Sequence, residues 1–202
     1  MSNSQTLDLG AVRNGQVKTL INTDLAGADL SGAQLAAADL SKANLTGAAL
    51  TGADLHRTTL RANLRGADLT GANLTQADCR NADLRGALLL DAQVSQTSFS
   101  GAFLAGAVLS KLDLSSVDFR GADLRGATLV GAILHQADFS NANLSGADLS
   151  QADLEEATLN GTILRGANLS QANLLCVQAE QAIWDGALLQ DACLEGTPLE
   201  GL

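Results

Sequence analysis

The chain has 202 residues and is 46% hydrophobic, yet it contains only four Phe, one Trp and no Tyr. Ala and Leu must therefore fill its interior, which favours regular packing over the irregular core of an ordinary globular protein. The formal net charge of −10 disfavours general nucleic-acid binding, because phosphate contacts need an excess of Lys and Arg. No apolar run approaches the roughly 20 residues of a membrane span.

Residues 1–22 lie out of phase with the repeat that follows, and we expect them to form an N-terminal cap over its first turn. Gly10 and Gly15 weaken any helix in this segment, so the sequence leaves open whether the cap is helical. The segment lacks the basic start and the apolar stretch of a secretory signal. The three cysteines form no disulfide framework, so we predict a reducing, cytoplasmic compartment.

From residue 23 onward a five-residue unit repeats. Its centres fall on every fifth residue from 25 to 60 and again from 64 to 199, and 29 of these 36 centres are Leu. Ala lies two residues before the centre in 28 units, and 18 of the 20 Gly lie two residues after a centre. A period of five fits neither a helix nor a plain strand, but it fits a short extended piece followed by a turn. Gly suits such a corner, because a positive φ costs it least.

Units such as ADLSG at 28–32 and ADLSK at 38–42 resemble the pentapeptide-repeat family, whose pattern is A-(D/N)-L-X-X. The resemblance covers about residues 23–200. It implies an all-β fold, a right-handed quadrilateral parallel β-helix that occupies residues 23–202 with four units per coil and about nine coils. With coils spaced by about 4.8 Å, the rod is about 40 Å long. The Ala and the central Leu then point inward, and the other three positions point outward.

Every twentieth residue of such a helix lies on the same face. Phe99, Phe119 and Phe139 would therefore stack on three successive coils, which we interpret as core packing rather than a ligand site. The step from Leu60 to Leu64 removes one residue from a corner. It predicts either a tightened corner or a kink that shapes the surface.

Seven arginines share the slot just after a centre, on two adjacent faces, and we call this row the basic ridge. Its members are Arg61, Arg65, Arg80, Arg85, Arg120, Arg125 and Arg165. Thirteen of the 22 acidic residues are Asp in the slot just before a centre, where corner hydrogen bonding explains them. The basic ridge either pairs with Asp residues of this kind on neighbouring units or forms a docking strip for an acidic partner.

Large apolar residues are rare in the outward slots, and we call the six that cluster near the middle coils the apolar patch. They are Leu88, Leu90, Phe103, Val108, Val130 and Ile133. A contiguous apolar patch commonly marks an interaction site, and aromatic anchors suit a protein interface. We predict a protein-binding surface here. The alternatives are neutral variation on a tolerant surface, or a Phe103 side chain that folds back over the rod.

Residues 151–202 carry eight acidic residues against Arg165 alone, so the C-terminal end is the acidic pole. The repeat runs to Leu199 with no amphipathic helix after it, so the last coil is either bare or covered by a partner. Proteins normally cover or charge such an exposed strand edge, and Glu195 and Glu200 are the charges available. Ile183 and Leu188 offer an apolar contact for a second chain, which makes a C-terminal homodimer one prediction.

The chain shows no catalytic constellation. His56 and His135 lie four coils apart, roughly 19 Å, too far to form one acid–base pair or a metal site with the scattered cysteines. No phosphate-binding loop, zinc, hydrolase or dinucleotide signature is present in the sequence. We therefore predict that the chain is not an enzyme and uses no metal or other cofactor.

The leading functional prediction is a non-catalytic binding or scaffold protein that presents rigid faces to protein partners, without direct nucleic-acid binding or a membrane span. The resemblance implies a second option, since some pentapeptide-repeat proteins mimic duplex DNA, bind DNA gyrase and protect against quinolones. The Leu centres, the basic ridge and the lack of an evident C-terminal dimerisation helix depart from that group. A third option is a subunit of a larger assembly such as a photosynthetic complex, because the Ala-Asp-Leu style resembles that of cyanobacterial members.

Overall fold

A computed structural model describes residues 7–199, and from Thr19 onward they form one continuous four-sided coil. The residue before a centre generally forms a parallel bridge with its counterpart about 20 residues later, as Asp24 does with Asn44. Bridges run from Thr19 to Cys193, and within the described residues each face contributes one bridged residue per coil rather than an extended strand. The chain is a right-handed quadrilateral parallel β-helix, which confirms the predicted fold.

The corners are β-turns in which the carbonyl of the central residue accepts a hydrogen bond from the N–H three residues later. After Leu25, the N–H of Ala28 donates to this carbonyl at 3.0 Å, and Gly27 has a φ of 64°. The predicted use of Gly at positive φ is therefore confirmed. Within residues 7–199, eighteen corners have a residue other than Gly with the same sign of φ, such as Lys42 at 59°.

Asp and Asn side chains close many of these corners from outside. A carboxylate oxygen of Asp39 accepts a hydrogen bond from the N–H of Ser41 at 2.9 Å, and Asp148 accepts one from Ser150 at 3.0 Å. Side chains of this length mimic a turn by bonding the backbone two residues further on. Corner hydrogen bonding thus accounts for the Asp and Asn that recur in the slot before the centre.

The interior consists of Ala and Leu around a short aromatic stack. Phe99, Phe119 and Phe139 are fully buried, and their ring centroids lie 5.4 and 4.9 Å apart with nearly parallel planes. The predicted ladder is confirmed as core packing. Thr58 and Thr97 replace inward Ala residues, and each hydroxyl donates to a backbone carbonyl at 2.7 Å, so burial leaves neither hydroxyl unbonded.

The step from Leu60 to Leu64 is a tightened corner. The N–H of Ala62 donates to the carbonyl of Leu60 at 2.9 Å, which closes a turn one residue shorter than the others. Asn63 still bridges to both neighbouring coils, at Asn44 and Asp83. The missing residue is therefore absorbed within one corner, and the bridges continue on both sides of it.

We number the four faces in chain order from the face that holds Leu25, so that Leu35 lies on the third face. One seam interrupts the stacking on this third face. Among the described residues, Gln93 and Asp113 form no bridge with each other. Each of them does form a bridge with the coil on its other side. Leu112 occupies the inward slot that usually holds Ala, and it is buried. A larger side chain in that slot needs more room between coils, which explains the opening.

The segment predicted as an N-terminal cap contains a short helix, α1 (Leu9–Arg13). The side chain of Asp8 accepts a hydrogen bond from the N–H of Ala11 at 3.1 Å, and Val12 is completely buried. The first bridge, at Thr19, lies inside the segment predicted as a cap.

Residues 1–6 and 200–202, including Glu200, lie outside the described residues. Among the described residues no helix is both long and apolar enough to cross a membrane.

Candidate functional site: the basic ridge and the apolar patch

The basic ridge consists largely of ion pairs. Arg85 and Arg125 each direct Nε and Nη2 at both carboxylate oxygens of the Asp two residues earlier. A bidentate pair of this kind holds the guanidinium in a fixed plane. Four further ridge arginines also pair with aspartates, namely Arg61 and Arg80 with Asp78, Arg120 with Asp118, and Arg165 with Asp185.

The pairing changes the electrostatic character of this surface. The guanidinium of Arg85 holds the pKa of Asp83 below its ordinary value against the opposing effect of partial burial, and Arg125 does the same for Asp123. Arg65 forms no ion pair with the described residues, but its charge also lowers the pKa of Asp83. The geometry thus favours Asp pairing over a free cationic strip for six of the seven arginines.

The apolar patch exposes most of its predicted members. Leu88, Leu90, Phe103 and Ile133 are about two-fifths exposed or more, with Phe103 at 46%, whereas Val108 and Val130 are half-buried. Phe103 does not fold back over the rod as one alternative proposed.

Four of the six patch residues share a bridge, a repeat unit or a coil. Leu88 and Val108 are bridged neighbours on the second face, and Leu90 follows Leu88 by two residues. Phe103 lies on the same coil as Val108, across a corner made of the small residues Ala105 and Gly106.

The other two patch residues lie further away. Val130 stands two coils beyond Leu90 in the same slot, with Ser110 between them. Ile133 lies on the third face, bridged to Asp113 and Asp153. The patch residues that neighbour one another along the coil are therefore Leu88, Leu90, Phe103 and Val108.

Phe103 occupies a gap in a charged pattern. The coil before it reads Asp83-Leu84-Arg85 at the same positions, and the coil after it reads Asp123-Leu124-Arg125. Phe103 bridges to both aspartates. The guanidinium carbon of Arg85 lies 5.9 Å from the Phe103 ring centroid, within cation–π range. One coil thus presents an aromatic ring between two fixed ion pairs.

Two features were not predicted from the sequence. One is Ile163, which bridges to Ile183 in the same column of the first face as Phe103. The sequence could have indicated it, because Ile163 is a large apolar residue in an outward slot of the repeat. His135 lies beside Asp153 and Glu155, 18 and 20 residues later, a spacing that the coil length alone brings together. From the sequence, only His56 and the cysteines were considered as partners of His135, and these two carboxylates were not considered.

Comparison with protein families matches the chain to a model described as pentapeptide repeats. It matches in eight copies, over residues 20–57, 61–90, 89–126, 118–155 and 152–183. A comparison with curated protein sequences gives no significant match.

Among solved structures, the chain is similar to HetL, a pentapeptide repeat protein involved in heterocyst differentiation regulation from the cyanobacterium Nostoc sp. strain PCC 7120. The identity is 35%, the alignment covers 94% of this chain and 92% of HetL, and the TM-score is 0.66. QnrB1, a plasmid-mediated fluoroquinolone resistance protein, is 19% identical over 76% of this chain and 90% of QnrB1, with a TM-score of 0.53. The second likeness concerns the fold alone.

Proposed function

Because the chain belongs to the pentapeptide-repeat family, we propose that it is a non-catalytic binding protein whose rigid β-helix holds the apolar patch against a protein partner. Members of the family are generally non-enzymatic structural or binding proteins. HetL takes part in the regulation of differentiation, and the resemblance in sequence and length supports a regulatory binding role for this chain too.

The observation that carries the proposal is the aromatic gap at Phe103. The ring is 46% exposed on a backbone held by bridges from both sides, so its position does not depend on a partner. A rigid exposed aromatic loses little conformational freedom on binding. The ion pairs Asp83–Arg85 and Asp123–Arg125 on either side provide the polar rim that surrounds the core of a typical interface.

The test is a binding experiment with a double variant and a matched control. The wild-type chain is immobilised on a resin and incubated with an extract of the source organism. The protein that it captures is then purified. We expect Leu88→Glu with Phe103→Glu to weaken binding of the purified partner about a hundredfold or more, because central anchors dominate interface energy. Both side chains point outward, so the melting curve should stay nearly unchanged.

Leu188→Glu is the control, since Leu188 occupies the same slot and column as Leu88 but lies on the last coil and is 56% exposed. It should bind the partner like wild type. Equal loss in both variants would assign the effect to added charge, and full binding by the double variant would contradict the proposed surface.

The gyrase-binding alternative has weaker support. The likeness to QnrB1 concerns the fold alone, and ion pairs interrupt the acidic columns that a DNA mimic would need. A DNA supercoiling assay separates the two functions, because a DNA mimic inhibits the reaction at micromolar protein and the proposed binding protein does not. A role as a subunit of a larger assembly is compatible with the proposed function, because such a subunit also binds protein partners through its surface.

A homodimer contact through the last coil remains a proposal of its own. Ile183 and Leu188 lie on adjacent faces of that coil, where the core side chains Trp184 and Leu189 are only partly buried. Light scattering over a concentration series should show a dimer that Leu188→Glu dissociates. A strict monomer at all concentrations would contradict it.

A further inference from the structure

A histidine and two carboxylates converge on the third face of the rod. His135 Nε2 lies 2.6 Å from Asp153 Oδ2, and the potential ligand atoms of His135, Asp153 and Glu155 all lie within 4.8 Å of one another. The three side chains are partly exposed beside a shallow cavity lined by Ser115, Ser116, Gln136 and Glu156 among others. An ion can therefore reach them from solvent.

The coil holds these side chains in place through the backbone. His135 and Glu155 occupy the same slot on successive coils, and the N–H of Gln136 donates to the carbonyl of Glu155 at 3.0 Å. Asp153 is fixed through its other carboxylate oxygen, Oδ1. That oxygen accepts hydrogen bonds from Asn173 Nδ2 at 2.9 Å and from the N–H of Glu155 at 3.3 Å. Oδ2 is thereby directed at His135.

We propose that His135 Nε2, Asp153 Oδ2 and the Glu155 carboxylate bind a divalent transition-metal ion such as Zn²⁺, with solvent in the remaining position. Zinc sites that keep one position for solvent bind the ion through three protein ligands, and imidazole and carboxylate groups are among the ligand types they use. Mg²⁺ and Ca²⁺ prefer oxygen ligands alone, so the imidazole favours Zn²⁺, Ni²⁺ or Co²⁺ over them.

The geometry needs only small side-chain movements. With ligand bonds of about 2.1 Å in a tetrahedron, two ligand atoms stand about 3.4 Å apart. His135 Nε2 and Asp153 Oδ2 must separate by under about 1 Å from their present hydrogen bond, which partly exposed side chains can do by rotation. The ion then replaces the proton shared by the two groups, because a metal ligand must be deprotonated.

His56 provides an internal comparison. It occupies the same slot on the same face as His135, and Asp54 precedes it by two residues. The next coil, however, presents Asn73 and Thr75 where the coil after His135 presents Asp153 and Glu155. The fold is the same at both positions, and only the second one supplies anionic ligands from the following coil.

The experiment is calorimetric titration of the untagged chain with Zn²⁺ at neutral pH. Cys176→Ser and Cys193→Ser serve as the background, because these two thiols are exposed while Cys79 is buried. We expect one ion per chain. Each of His135→Gln, Asp153→Asn and Glu155→Gln should weaken binding about tenfold or more, whereas His56→Gln should leave it unchanged.

A titration with Mg²⁺ should give no heat that depends on His135. Circular dichroism on each variant checks that the coil is intact. The proposal is overturned if Zn²⁺ does not bind, if His135→Gln binds it as tightly as the background, or if His56→Gln weakens binding equally.

Discussion

The two ends of the β-helix are built from the same repeat but are buried very differently. At the N-terminal end α1 covers the first coil, and Val12, Leu20 and Leu25 are almost completely buried. At the other end the central residues Trp184 and Leu194 are only partly buried, because among the described residues no further coil or helix stacks on them.

The comparison shows that a repeat acquires its core from its neighbour rather than from its own sequence. The cap also satisfies the first coil's backbone, since Gln34 N–H donates to the carbonyl of Arg13 at 2.7 Å and Lys18 Nζ donates to the carbonyls of Gln34 and Ala36. Stability in a solenoid is roughly a sum of such nearest-neighbour terms. Outward side chains on middle coils are therefore free to serve binding.

The largest expected loss of stability is that of a substitution in the middle of the interior, with which substitutions at the two ends are compared. Phe119→Ala should lower the free energy of unfolding by about 3–5 kcal/mol, because Phe99 and Phe139 are held by their own coils and cannot fill the cavity. Denaturant unfolding measures this value. A loss under about 1 kcal/mol would contradict the closed interior that both ends are compared with.

The capped end should behave almost like the interior. Leu20→Ala should cost about 3 kcal/mol, as expected for a Leu that is 1% exposed. Hydrogen exchange should locate the loss in the first coils, at the amides of Leu25 and Leu30. Protection of these amides at the wild-type level would contradict the view that Leu20 packs this end like the interior.

The same substitution at the other end should cost less. Leu194→Ala should lower stability by about 1 kcal/mol, because the side chain gives up little burial where no coil covers it. The measurement is the denaturant curve used for Leu20→Ala. Equal losses at the two positions would contradict the difference between the ends and would indicate that the last coil is covered in solution.

The smallest expected effect concerns the ion pairs. Hydrogen bonding to Arg120 lowers the pKa of Asp118 in the folded chain, so this pair stabilises the fold above the unfolded pKa of about 4 and stops doing so as the pH falls through the lower folded value. Asp118→Asn keeps the corner hydrogen bond and should cost under about 1 kcal/mol at neutral pH, with no cost in strong acid.

Asp185→Asn is the control at the exposed end. Asp185 pairs with Arg165, but the Asp185 side chain is 75% exposed, against 27% for Asp118. Asp185→Asn should therefore change the free energy of unfolding less than Asp118→Asn at neutral pH. A loss larger than that of Asp118→Asn would contradict the view that burial by neighbouring coils gives these pairs their strength.

Much of the fold follows from the sequence because its period is regular. The centres, the inward Ala, the corner Gly and the aromatic stack all obey one spacing. The first coil was harder to recognise, because Lys18 stands where the repeat usually has Ala, although Leu20 is buried. The seam at Leu112 depends on the difference in side-chain volume between Leu and the usual Ala. The repeat pattern alone does not predict how the neighbouring coil responds to this difference.

The candidate site was only partly predictable for a related reason. The period places Phe103 and Val108 on neighbouring faces, but the small corner that joins them depends on Ala105 and Gly106. The pairing of the basic ridge depends on rotamers that no spacing determines. His135 joins its carboxylates through a separation of one coil, so a search for close sequence neighbours misses it.

The central claim is that the rod binds its partner through the middle coils rather than through its open end. Photo-crosslinking residues placed singly at Phe103 and at Leu188, in cells of the source organism, test it most directly. We predict that position 103 forms an adduct with one defined protein and that position 188 does not. Crosslinking of a foreign protein from position 188 alone would contradict the account.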